Sequence, residues 1–125
     1  MKNSPEQAEI ERFLLQLSTF FDLYGEKRFT LMGKKRGRTI NRAGFRNNVS
    51  EMLENDKFEY FVLPSAYTYE ICRGFDLRWC TQVLIEKGIL KSGTNGKASV
   101  VKRFPELGKT TRCYHFTELK QKHEK

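Results

Sequence analysis

The stretch "SAYTYEICRGFDLRWCTQVLIEKG", residues 65–88, decides how this chain is read. Tyr67, Ile71 and Cys72 recur at helical spacing and Gly74 stops the pattern, so a short helix is expected over residues 65–73. One residue further on, Asp76 is placed to cap a second helix over residues 77–87, which Gly88 closes. Two short helices joined by a tight glycine turn make a helix-turn-helix candidate. On the second helix Leu77, Cys80, Val83 and Leu84 form the expected inner stripe. Arg78 and Gln82 lie one turn apart on the outer face, with Thr81 and Glu86 beside them. These side-chain types read base edges or phosphates. An ordinary helical hairpin has the same pattern, so the flanking sequence has to discriminate.

Downstream, residues 99–104 and 112–117 are two strand-like runs with Pro105, Glu106, Leu107, Gly108, Lys109 and Thr110 between them. A long helix, a short helix pair and then a basic β-hairpin is the order of a winged helix-turn-helix domain. There the hairpin lies along the DNA backbone or in a minor groove beside the recognition helix. The run "LGKT", residues 107–110, looks like the end of a P-loop, but that motif needs a glycine where Arg103 stands. It also needs a helix after the lysine, whose N-terminus faces the phosphates. Residues 111–117 are instead a β-prone run. Gly108 is therefore expected to permit a turn with positive φ, and Lys109 to be a cation at the wing tip.

Upstream, Ser4, Pro5 and Gln7 make a capping-box start, and Ile10, Phe13, Leu14, Leu17, Phe21 and Tyr24 recur at helical spacing up to Gly25. Helix one is expected over residues 5–24. Residues 27–63 combine a basic loop with β-prone runs at 28–32, 43–49 and 59–63, the last two making a loose hairpin ended by Pro64. The expected fold class is α+β: a winged helix-turn-helix with an N-terminal helix and an additional small β element. One domain spans residues 1–125, with helix pair 65–87, wing 98–117 and tail 118–125. A 38% hydrophobic fraction with ten phenylalanines suffices for one core.

Net charge is +8, unevenly spread. Residues 27–46 hold eight Lys or Arg and no acid, and residues 87–112 hold seven against Glu106 alone, while the remainder is net negative. Two basic blocks on such a body suit a phosphate backbone, because each neutralised phosphate releases counterions. No run of about 18 apolar residues is present, so no membrane partner is expected, and residues 1–13 lack the apolar stretch of a signal peptide. A cytoplasmic location is the resulting expectation. Cys72, Cys80 and Cys113 are odd in number and lack scaffold spacing, so they are expected reduced and in the core. With His115 and His123 they make no C-x-x-C knuckle, and no metal, other cofactor or small-molecule substrate is expected. No Ser/His/Asp order stands out, so the chain is expected to be non-catalytic. Trp79 is the aromatic kept as a candidate base-stacking surface.

Five blocks in order carry a family resemblance: "INRAGFR" (40–46), "EYFVLP" (59–64), "EICRGFD" (70–76), "VLIEKGIL" (83–90) and "PELGKTTRCYHF" (105–116). Together they resemble the C-terminal region of large replicative ATPases, helicase or primase-helicase-like, carried by phages, genomic islands and integrative elements. In that family the last block commonly reads P-G-L-G-K-T-R; here Glu106 replaces its first glycine and Thr111 is an extra residue before Arg112. The resemblance implies an accessory domain whose ATPase lies upstream in a parent protein, a partner in cis. The expected function is to recruit that helicase to duplex DNA, origin DNA included, or to hold it there. The alternative is a winged helix that docks on a replication protein or on the parent ATPase. For the DNA reading, Arg78, Gln82 and Thr81 are the expected major-groove residues, and Lys102, Arg103, Lys109 and Arg112 the wing contacts. Lys34, Lys35, Arg36, Arg38 and Arg42 add attraction to phosphates.

Overall fold

The computed structural model describes residues 5–32, 41–49, 57–93, 97–105 and 107–120. Helix α1, Pro5–Tyr24, turns Phe13, Leu17, Phe20 and Phe21 inward, and the Gly25 N–H donates to the Phe21 carbonyl at 2.8 Å to close it. Strand β1, Phe29–Leu31, comes next, then β2, Gly44–Asn48, and β3, Lys57–Val62. Pro64 opens a single α turn, α2, Pro64–Ala66, which runs directly into a π-helical turn, Tyr67–Ile71. After Gly74, whose φ of 85° is open to a residue without a Cβ, comes α3, Leu77–Glu86. The chain ends in β4, Leu90–Lys91, β5, Val100–Phe104, and β6, Lys109–Lys120.

These elements make a mixed α+β architecture with a curled sheet of order β1-β2-β3-β6-β4, in which β5 also pairs with β6. Strand β1 runs parallel to β2, and the other pairings are antiparallel. Residues opposite one another in adjacent strands share a face, so the register sorts the side chains. One face carries Phe58, Tyr60, Val62 and Phe116 and packs against α1, the π turn and α3 as the main core. Phe21 of α1 meets Tyr60 and Phe116 at ring-centroid distances of 4.7 and 5.4 Å.

The other face holds a small second cluster of Phe45, Phe61, Phe104 and Cys113. Phe104, at the far end of β5, stacks on Phe45 of β2 at 4.2 Å and 11° and meets Phe61 of β3 edge-on at 5.9 Å. Because β5 is bonded to β6, and β3 lies between β6 and β2, this stack requires the β5–β6 hairpin to bend across the back of the sheet. That bend is the curl.

Several expected boundaries shift. The helix expected over 65–73 is instead α2 plus the π turn, whose Cys72 N–H donates to the Tyr67 carbonyl at 3.0 Å. The wider turn lets Tyr67, Ile71 and Cys72 all reach the core, and Tyr67 stacks on Tyr114 at 3.8 Å. Leu77, expected inside, is 39% exposed: at the start of α3 it is Phe75 and Trp79 that pack against the main core, and Leu77 lines an open cleft. Residues 118–120, expected in the tail, belong to β6, which continues to Lys120 against β3. Trp79 is half-buried, stacked on Phe75 at 5.7 Å and tilted against Phe13, so it is a packing residue. Cys72, Cys80 and Cys113 are free thiols in the core as expected. Ser4 lies outside the described residues.

Candidate nucleic-acid interface

The phase of α3 is set by its first residue. Asp76 is extended (φ −66°, ψ 127°), and its Oδ2 accepts from the Trp79 N–H at 2.9 Å, as an N-cap requires. From that start Cys80, Val83 and Leu84 turn inward, and Arg78 and Gln82 stay exposed on the opposite side. The Gln82 Nε2 donates to Glu86 Oε2 at 3.3 Å, and Arg78 makes no ion pair among the described residues. Thr81 is half-buried and committed to the fold: its hydroxyl donates to the Leu77 carbonyl at 3.0 Å and lies 2.7 Å from the Tyr67 hydroxyl.

Beside this face runs an open cleft of about 610 Å³, lined on α3 by Leu77, Arg78, Thr81, Gln82, Ile85 and Glu86 and opposite by Ala98 and Tyr114. Tyr114 belongs to β6, and alternation along that strand puts Arg112 and Thr110 on its face. Their registered partners, Val101 opposite Arg112 and Arg103 opposite Thr110, share it. When the hairpin bends backward this becomes its convex surface. Arg103 and Arg112 are exposed there, Val101 beside them is 63% exposed, and Arg112 Nη1 donates to Ser99 Oγ at 2.9 Å. Of the expected contact residues, Arg78, Thr81 and Gln82 therefore line the cleft, and Arg103 and Arg112 lie on the hairpin face that continues from Tyr114.

The remaining members of the expected set lie elsewhere. Lys102 and Lys109 alternate onto the concave side with Phe104, and Lys102 Nζ sits 5.1 Å from the Phe61 ring centroid. Arg42 is on that back face too: its Nε donates to Thr30 Oγ1 at 2.9 Å and its guanidinium lies 4.9 Å from the Phe45 ring. Lys34, Lys35, Arg36 and Arg38 fall outside the described residues. Gly108 has φ 72°, as the turn before Lys109 requires, and Lys109 opens a strand where a P-loop lysine would open a helix.

The back face holds an arrangement that the sequence pattern does not announce. Glu59 Oε1 lies 2.7 Å from His115 Nε2, while Asn47 Nδ2 donates to Glu59 Oε2 at 2.8 Å. Burial alone would raise the Glu59 carboxyl, but the hydrogen bonds from Asn47 and His115 outweigh it and hold the group below the usual carboxylate range. The His115 ring stacks on Phe61 at 4.5 Å. Only the strand register, with Asn47 opposite Glu59, brings these three together.

Comparison with protein-family models, curated proteins and solved structures finds no match to this chain. Among the described residues no helix is long and apolar enough to cross a membrane.

Proposed function

We propose that this chain is a winged helix-turn-helix domain that binds duplex DNA, serving as the non-catalytic accessory domain of a cytoplasmic replicative helicase or ATPase of the mobile-element type. Topology supports the fold: α1, β3, the short helix pair, then β4 and β5 antiparallel to β6, with β6 between them and β3. Strands β1 and β2 extend the sheet beyond β3. The five ordered sequence blocks support the parent protein.

The observation that carries the function is the pair of exposed residues Arg78 and Gln82 at the α3 cleft, with Arg103 and Arg112 exposed on the hairpin face that continues from Tyr114 of that cleft. With α3 in a major groove, Arg78 and Gln82 face base edges, and Arg103 and Arg112 track the adjacent phosphates. Fluorescence anisotropy with duplex and single-stranded DNA across a salt series tests this. Duplex binding that weakens steeply with salt is expected, and no binding at low salt would contradict it.

One observation favours a second reading. Leu77, Ile85, Ala98 and Tyr114 give the same cleft largely apolar walls, which suit an apolar segment of a replication protein or of the parent ATPase. Binding to that partner which persists at high salt would favour this reading.

A further inference from the structure

Helix α1 buries one side in the main core and leaves a second stripe without a partner among the described residues. Leu15 and Leu23 are 67% and 56% exposed, with Thr19 between them also exposed. Single exposed leucines are ordinary; two on one stripe that borders a groove are less so. With Arg12, Gln16 and Phe75 these three line an open groove of about 540 Å³ on the side of α1 that faces Glu70. The positions 12, 15, 19 and 23 advance by three, four and four residues, so they lie on one helical face. Glu26, three residues on, is exposed in the turn that continues α1.

The stripe is symmetric in a chemical sense. Leu15 and Leu23 are equidistant from Thr19, about 12 Å apart along the helix axis. Arg12 and Glu26 each stand seven residues from Thr19 in the sequence, and they carry opposite charges. An antiparallel second copy with Thr19 on the twofold axis sets each Leu15 opposite the other copy's Leu23. The same register sets each Arg12 opposite the other copy's Glu26. A parallel arrangement would instead bring like charges together. Arg12 is open to such a pairing: its side chain is 69% exposed, its contact with Glu9 is long at 3.8 Å, and its guanidinium rests 5.5 Å from the Phe75 ring.

We infer that the Leu15–Thr19–Leu23 face of α1 is an isologous dimer interface, occupied by the same face of a second copy of this chain in antiparallel register. Two helices meeting over a few turns bury an area at the small end of specific interfaces, so association is to be sought from micromolar concentration upward. The inference is independent of the DNA reading, and its test contains no DNA.

Sedimentation of the full chain from about 5 to about 500 µM reads the equilibrium directly. Mass rising from monomer to dimer across that range is expected. Leu15→Glu should remain monomeric throughout with an unchanged thermal melt, because Leu15 is exposed in the monomer. Arg12→Glu and Glu26→Arg each act twice by symmetry and should each weaken association about tenfold. The double variant restores opposite charges and should return to within about threefold of the parent chain. A chain that stays monomeric at the highest concentration would overturn the inference. So would association that survives Leu15→Glu, or a double variant no tighter than the single ones.

Discussion

Asp76 fixes which residues of α3 point outward, because its carboxylate holds the first turn in place through the Trp79 N–H. Asp76→Ala is expected to cost about 1 kcal/mol of stability, read as a lowered denaturation midpoint; an unchanged midpoint would mean that the cap is not holding the helix. A second local anchor is the pair in which Arg28 donates to both Glu70 carboxylate oxygens at 2.7 Å, tying the entry of β1 to the π turn. The Arg28 guanidinium outweighs burial and holds the Glu70 carboxyl below its usual range. A carboxyl depressed on folding stabilises above its unfolded value of about 4.3, and the contribution is lost as pH falls through the lower folded value. Glu70 is 37% exposed, so Glu70→Gln is expected to cost only about 0.5 to 1 kcal/mol near neutral pH. The gap from the parent chain should close in strong acid, and a gap that persisted there would contradict this origin. The cap was legible in the sequence because N-capping needs one residue type at one position. The Arg28–Glu70 pair was not, since nothing local relates those two positions.

At the scale of elements, periodicity gave α1 and α3, and alternation gave β2, β3 and the β5–β6 hairpin. The π turn was hidden because its apolar spacing imitates an ordinary helix. The parallel pairing of β1 with β2 was hidden because a three-residue strand carries no sign of its direction. The backward bend of the hairpin depends on Phe104 meeting Phe45 and Phe61, residues from strands far apart in the chain. That contact divides the cations: alternation alone shows that Lys102 and Arg103 oppose one another, but only the bend shows which side turns to α3. Phe104→Ala should therefore release the hairpin as well as destabilise the protein by about 3 to 5 kcal/mol. Amide exchange in β5 and the first half of β6 should accelerate more than in β3. Equal protection of both regions in the variant would mean that Phe104 does not hold the hairpin down.

For the whole molecule, the two basic blocks were legible as charge runs, but a run does not tell which side chains share a surface. Folding sends Arg103 and Arg112 to the convex face of the hairpin, which continues from Tyr114 of the α3 cleft, and Lys102, Lys109 and Arg42 to the back. The most direct measurement of the proposed DNA interface compares two double variants, Arg103→Ala with Arg112→Ala and Lys102→Ala with Lys109→Ala, by duplex-DNA anisotropy across a salt series. Each pair removes the same charge, so total charge cannot explain a difference between them. The arginine pair is expected to weaken binding to all sequences and to lower the salt slope by about two, roughly one per lost phosphate contact. The lysine pair should leave the slope close to that of the parent chain. Equal losses from both pairs, or a larger loss from the lysines, would contradict the placement of DNA on the α3 side.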